Sequence, residues 1–259
     1  MTRFVLGLAV LIACTPAFSQ TPQIVTVRNL TLVNLTQVPV EDYQQIVQFA
    51  LNDKPTPATP DVISERVRYA LQERGYFRAE VGDPETTLVS EDPAEKIIDV
   101  SVRVNPGSIY KLQELILAGN RAFPADELRA QLPFKPGDVF NTGKVGLGLD
   151  NLRKFYADDG YINFIPVPRT TVIEETKQII LEIVLKEGKR FYFGDLNLTG
   201  LILKPEAAQA AVADWSSLKG KLYNRTDLEE FIMRHPQLGQ NLAIRQNAQA
   251  GTVSLELQP

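Results

Sequence analysis

The sequence predicts an α+β chain of tandem β-α-α-β-β units, each a three-stranded mixed sheet with two helices on one face. Three observations carry that prediction. First, a pattern returns after roughly eighty residues, the signature of stacked structural units. Its central copy reads Leu115-Ile116-Leu117-Ala118-Gly119-Asn120, then Gly137-Asp138-Val139-Phe140-Asn141, then Tyr156-Ala157-Asp158-Asp159-Gly160-Tyr161, and closes on Lys186-Glu187-Gly188. The C-terminal copy answers with Leu196-Asn197-Leu198-Thr199-Gly200, Gly220-Lys221-Leu222-Tyr223-Asn224 and Val253-Ser254-Leu255-Glu256-Leu257. In the N-terminal copy, Arg74-Gly75-Tyr76-Phe77 stands where Asp159-Gly160-Tyr161-Ile162 does. Second, apolar residues run at helical spacing in the middle of each copy and alternate at period two toward its end. Third, glycine and proline punctuate the segments where one period gives way to the next.

The first unit opens with a strand over Ile24–Asn34. A helix follows from Val40 to Leu51, with Val40, Tyr43, Ile46, Val47 and Ala50 on one stripe. Prolines make 53–59 a loop, and Pro60 at a first helical position starts a helix running to about Glu73, where Gly75 stops it. Two strands follow, Tyr76–Val81 with Thr86–Val89, and Ile97–Val104. In the latter Val100, Val102 and Val104 face one way and Asp99, Ser101 and Arg103 the other, as in a sheet with one buried face.

The middle unit repeats the order: strand Ile109–Leu117, short helix Pro124–Gln131, long helix Thr142–Asp158. Asn141 or Thr142 caps the long helix, and Leu147, Leu149, Leu152, Phe155 and Tyr156 supply its apolar surface. Gly119 and Gly160 suit turns with positive φ, and Asn120 tolerates the same conformation. In the last strand, Gln178–Leu185, Ile179, Leu181, Ile183 and Leu185 alternate with a mixed face of Ile180, Glu182, Val184 and Lys186. The strand before it begins at Tyr161 and runs through Pro166 and Pro168 to Ile173. Proline has no N–H for a ladder, so this second strand is expected at a sheet edge and the third in the centre; Pro84 in the first unit agrees. The third unit has strand Arg190–Leu198, helices Pro205–Trp215 and Arg225–Arg234, and strands near Leu242–Gln246 and Thr252–Leu257. Pro236 ends its second helix.

Composition narrows the function. A net charge of −4 argues against a nucleic-acid binder, which carries a basic surplus. Residues 1–19 read as a signal peptide, with Arg3, the apolar run Phe4–Ala13 and the small-x-small site Ala17-Phe18-Ser19 before Gln20. Leu11-Ile12-Ala13-Cys14 is also similar to a bacterial lipobox, which would make Cys14 a lipidation site. Either route gives an exported mature chain, and no later segment is apolar for the ~20 residues a transmembrane helix needs. Enzymatic constellations are poor. His235 is the only histidine, Gly143-x-x-Gly146-x-Gly148 lies inside a helical pattern without a lysine-serine ending, and no nucleophile–base pattern occurs. The expectation is a non-enzyme without metal or cofactor. Acidic pairs such as Glu174-Glu175 and Asp158-Asp159 are expected as solvated charge.

The order β-α-α-β-β, the Gly119-Asn120 turn, Gly137-Asp138-x-Phe140-Asn141 ahead of the long helix and Asp159-Gly160-Tyr161 after it resemble POTRA domains, the polypeptide-transport-associated repeats that precede outer-membrane barrels. The likeness is fullest over 106–188, partial over 189–259, where Leu201 replaces the turn asparagine and the Gly-Tyr exit is missing, and architectural over 20–105. It implies a scaffold of three domains, joined near Asn105-Pro106 and Gly188-Lys189, in the periplasm of a Gram-negative-type bacterium, free or associated with the outer membrane. Implied partners are an outer-membrane barrel protein or its unfolded precursors, and envelope lipoproteins. No barrel-sized segment follows Leu257, so the expectation is a stand-alone array or the separated N-terminal part of a barrel protein. A structural protein linking envelope partners is the alternative. The expected contact surface is the middle unit's edge, with Ile162, Phe164, Val167 and Val172 as alternate side-chain contacts and Thr170, Thr171, Val172 and Ile173 as a free backbone ladder.

Overall fold

The computed structural model describes residues 23–56, 58–199 and 204–257. The expected signal segment with Cys14, and Gly200 and Leu201, lie outside them. The chain divides into two compact units, one formed by residues up to Val67 with Val81–Val104, the other by Arg68–Glu80 with Asn105–Pro259.

The first sheet is built from β1 (Ile24–Val33), β2 (Glu80–Val81), β3 (Glu85–Glu91) and β4 (Glu95–Asn105), with α1 (Val40–Leu51) and α2 (Thr59–Gln72) between β1 and β2. β1 runs parallel to β4, and β3 pairs with β4 antiparallel on the other side. Pro84 lies between β2 and β3. Ile98, Val100, Val102 and Val104 alternate into the interior, and Ile46, Ala50, Ile63 and Val67 are the buried stripes of the helices.

In the second unit, β5 (Lys111–Ala118), α3 (Ala125–Arg129), α4 (Thr142–Asp158), β6 (Ile165–Ile173) and β7 (Gln178–Lys186) follow in order. The sheet order is β5-β7-β6, with β5 parallel and β6 antiparallel to β7. The third sheet has the same wiring: β8 (Tyr192–Asn197), α5 (Pro205–Leu218), α6 (Arg225–Arg234), a 3-10 helix (Pro236–Asn241), β9 (Leu242–Asn247) and β10 (Thr252–Leu257), in the order β8-β10-β9. In each sheet the last strand is central, because the parallel β-α-α-β crossover puts it beside the first strand and leaves only its other side for the second.

Ile179, Leu181, Ile183 and Leu185 of β7 pack with Leu128, Leu149, Leu152 and Tyr156 in one core. Each such fully buried aliphatic contributes about 1.5–3 kcal/mol over exposure. Phe191, Phe193, Trp215, Tyr223, Phe231, Val253 and Leu255 form the other. The Trp215 indole N–H reaches the Gly194 carbonyl at 3.0 Å, which satisfies its polar end.

Five expectations change. Val40, expected on the apolar stripe of α1, is exposed at the first position of that helix. Tyr161–Phe164 is a turn, closed by Phe164 N–H donating to the Tyr161 carbonyl (3.0 Å), and β6 starts only at Ile165. Tyr76–Ala79 makes the same turn, with Ala79 N–H on the Tyr76 carbonyl (3.0 Å). Leu147 is exposed, because the α4 stripe that packs is set by Leu149, Leu152 and Tyr156. Asn120 does not share the left-handed conformation of Gly119; its amide instead donates to the Phe123 carbonyl (3.1 Å). Gly119 itself, at φ 91°, has the Leu185 carbonyl oxygen 2.8 Å from where a Cβ would stand.

Candidate protein-binding edges

β6 is an edge strand of the second sheet. Its register with β7 is unbroken: Pro166, Pro168, Thr170 and Val172 stand opposite Leu185, Ile183, Leu181 and Ile179. These four share the helix-covered face. Val167, Arg169 and Thr171 stand opposite Val184, Glu182 and Ile180 on the open face. Arg169 and Glu182 pair across it at 3.5 Å.

The same register tells which backbone groups are free. In an antiparallel pair, opposed residues alternate between exchanging both hydrogen bonds and exchanging none. Prolines without N–H occupy the non-bonded positions, so the even-numbered residues of β6 direct their backbone groups outward. The Leu185 carbonyl agrees, since it lies against Gly119, on the β5 side of β7. Outward donors therefore exist at Thr170 and Val172 and are missing at 166 and 168. Thr171 turns its N–H inward, to β7.

The residues expected at this surface are split by the structure. Thr170 and Thr171 are exposed on β6. Val167 is half-buried on the open face, and Val172 is half-buried against the core. Phe164 is buried and stacked on Tyr156, ring centroids 3.8 Å apart. Ile162 packs against the third sheet's core. Both lie in the turn before β6, so neither side chain forms part of the strand's contact face. Cys14 is outside the described residues.

The opposite edges are partly closed. For each of the three sheets, a residue just ahead of the second of its two helices bridges the outer side of its first strand: Thr56 with Val25, Val139 with Lys111, Leu222 with Tyr192. In the second sheet the closure runs over four residues. Phe140 N–H donates to the Tyr110 carbonyl (2.9 Å), Leu112 N–H to Asp138 (2.9 Å) and Gly137 N–H to Leu112 (2.7 Å).

Sequence reasoning did not single out β3. It is exposed along its whole length, contains no proline, and carries Leu88 at 53% exposure between Glu85 and Glu91. The Arg103 carbonyl accepts from Gly82 N–H (2.9 Å), so Arg103, Ser101 and Asp99 direct their groups to this side of β4. Their partners Glu85 and Thr87 are the bonded positions, and Thr86 and Leu88 point outward. The signal was available: Glu85–Glu91 is a proline-free, β-branched run flanked by acidic residues.

Polar contacts hold the second sheet's ends. The Glu187 carboxylate accepts from Arg121 N–H (2.8 Å), Ala122 N–H (3.0 Å) and the Tyr156 hydroxyl (2.9 Å). Burial opposes its charge, but the Ala122, Arg121 and Tyr156 donors outweigh it and hold the carboxyl below its ordinary range. Burial and then the Glu187 hydrogen bond push the Tyr156 hydroxyl up. Glu174, expected as solvated charge, accepts from Tyr110 (2.7 Å) and Lys177 (3.1 Å) and pairs with Arg78 (2.7 Å). Among the described residues, no three His, Cys, Asp or Glu side chains converge to hold a metal. No helix among them is long and apolar enough to cross a membrane.

The model of the POTRA family, described as surface antigen variable number repeat, matches this chain twice, over residues 25–107 and 110–188. The chain belongs to the POTRA family. Over 137 residues it is 22% identical to outer membrane protein assembly factor BamA of Buchnera aphidicola subsp. Acyrthosiphon pisum, and 24% identical over 147 residues to that of Neisseria meningitidis serogroup B. Each match takes in 52% of this chain but only 22% and 18% of those relatives' lengths. The crystal structure of Haemophilus influenzae BamA POTRA3-5 superposes with a TM-score of 0.63 at 16% identity, covering 93% of this chain and 98% of that one. That likeness is one of fold. The POTRA architecture extends to the third sheet, whose strand order and pairing repeat those of the second.

Proposed function

We propose that this POTRA chain is a non-catalytic periplasmic scaffold that assists outer-membrane protein assembly or secretion and holds extended polypeptide by β-augmentation. The observation that carries the reading is the asymmetry of the sheet edges. A bridge closes the start of each first-strand edge, while β3 and β6 keep outward backbone groups free. An incoming strand gains main-chain hydrogen bonds there, and pockets for alternate side chains give selectivity. On β6 the complete ladder is short, Thr170 to Ile173, because Pro166 and Pro168 offer carbonyls without donors. On β3 no proline interrupts Glu85–Glu91.

The ligands that fit are the unfolded precursors of outer-membrane barrels, whose strands alternate apolar and polar residues. The assembly role comes from the BamA relatives; envelope lipoproteins are the second class of partner. Fluorescence anisotropy with labelled barrel-strand peptides and the full mature chain tests the reading. Thr170→Pro and Thr86→Pro each remove one outward donor, and affinity should fall roughly fivefold per lost bond of about 1 kcal/mol. Unchanged affinity in both variants would reject edge pairing. Absence of binding by any barrel precursor would favour a linker between envelope partners.

A further inference from the structure

A Gly-Tyr helix exit recurs at Gly75-Tyr76 and Gly160-Tyr161, and an asparagine caps the start of a following helix at Asn141 and again at Asn224. In space, the exit of the second sheet's long helix meets the start of α6. The Asn224 side chain has two ends. Its Oδ1 accepts from Thr226 N–H (2.8 Å), which caps α6, and its Nδ2 donates to the Asp158 carbonyl (3.5 Å), the last residue of α4. The Gly160 carbonyl accepts from Phe191 N–H (2.9 Å), and the Phe191 carbonyl accepts from Tyr223 N–H (2.9 Å). A Cβ at Gly160, whose φ is 80°, would stand 2.8 Å from Leu222 and 3.0 Å from the Phe191 carbonyl, so only glycine permits this approach. Arg190 pairs with Asp159 and lies over the Tyr161 ring, 5.3 Å from its centroid. Ile162 packs against the third core.

The same wiring occurs a second time within this unit. Asn141 Oδ1 accepts from Lys144 N–H (2.7 Å) while its Nδ2 donates to the Glu73 carbonyl. The Gly75 carbonyl accepts from Tyr110 N–H (2.9 Å), and the Tyr110 carbonyl from Phe140 N–H (2.9 Å). Val139 crowds Gly75 as Leu222 crowds Gly160. Two occurrences with the same donors, acceptors and glycine are hard to reconcile with independent helix caps and turns.

We infer that the Gly-Tyr exit and the Asn cap together form a latch that holds the third sheet's module in one orientation on the second, with Asn224 and Arg190 as its positioning residues. A cap alone needs only Oδ1; the latch also uses Nδ2. The covalent connection over Gly188–Arg190 sets a short reach but leaves its torsions free, and the latch removes that freedom. It fixes how β6 and β9 stand to each other whatever partner they take.

The test is a distance distribution by pulsed electron resonance. Spin labels are placed on cysteines that replace exposed Lys154 and Met233 in the chain from Gln20, which has no cysteine of its own. Asn224→Asp keeps the cap acceptor, and its charge favours a helix N-terminus, but it sets a carboxylate oxygen against the Asp158 carbonyl. Arg190→Ala removes the ion pair and ring contact. The parent chain should give one narrow distribution, and the double variant a width at least doubled. Fluorescence of buried Trp215 should not move, which reports an intact third core. An equally narrow distribution in the double variant overturns the inference. Should Asn224→Asp alter Trp215 emission, Arg190→Ala alone decides by the same criterion, since Arg190 is half exposed and outside the core.

Discussion

Replacing Thr170 and, separately, Thr171 by proline probes which way the β6 backbone points. The residues are neighbours of one type, both exposed, so propensity and burial nearly cancel between them. Their hydrogen bonding does not. Thr171 stands opposite Ile180 at a bonded position, so proline there deletes a ladder bond and strands a carbonyl of the central strand. The lost bond costs about 1 kcal/mol net, and the unpaired acceptor brings the total to roughly 1–3 kcal/mol. Thr170 shares the parity of Pro166 and Pro168; its N–H faces outward, and proline should cost close to nothing or gain about 0.4–1 kcal/mol by stiffening the unfolded chain. In a compact unit of about 170 residues, 1 kcal/mol shifts Tm by roughly 2–4 °C. Urea unfolding by circular dichroism, with hydrogen exchange at Ile180, measures both variants. Equal destabilisation by the two prolines would refute the parity assignment, and with it the proposed length of the β6 ladder.

Other consequences follow from the second unit's polar contacts and turns. Glu187 has its carboxyl held below the ordinary value of 4.5, so its contribution to stability is complete above that pH and disappears as the pH falls through the lower, folded-state value. Glu187→Gln should therefore weaken the fold at pH 7 and flatten the loss of stability below pH 4.5; an unchanged acid limb would contradict the assigned donors. Gly119→Ala forces a side chain into the left-handed region and against the Leu185 carbonyl, at a cost of at least about 1–2 kcal/mol, readable as a lower urea midpoint. Intact-mass measurement of the exported chain should give a start at Gln20. An acylated species starting at Cys14 would instead put the protein on a membrane surface.

Much of this architecture is legible from one chain because it is written in local chemistry. The period-two run of Ile179, Leu181, Ile183 and Leu185, the stripes of the paired helices, and the Asn141 and Asn224 caps depend on neighbours a few residues away. The edge position of the strand carrying Pro166 and Pro168 follows likewise from a missing donor, a property of the residue itself. The sequence alone also determined the repeat and the likeness to POTRA domains. What only the tertiary structure decided are properties that depend on register and on distant partners. Ile162 and Phe164 have the composition of strand residues. Yet Phe164 stacks on Tyr156 and Ile162 reaches the third core, and these contacts bend 161–164 into a turn. Periodicity cannot distinguish the two outcomes, because Ile162 and Phe164 stand two apart in either. The closed edges likewise need Thr56, Val139 and Leu222 to be brought beside strands tens of residues away. The outward direction of Thr170 rather than Thr171 needs the pairing with β7. Asn224 is readable as a cap from its own helix, but its second bond, to the Asp158 carbonyl, exists only because folding sets one helix end against the next helix start.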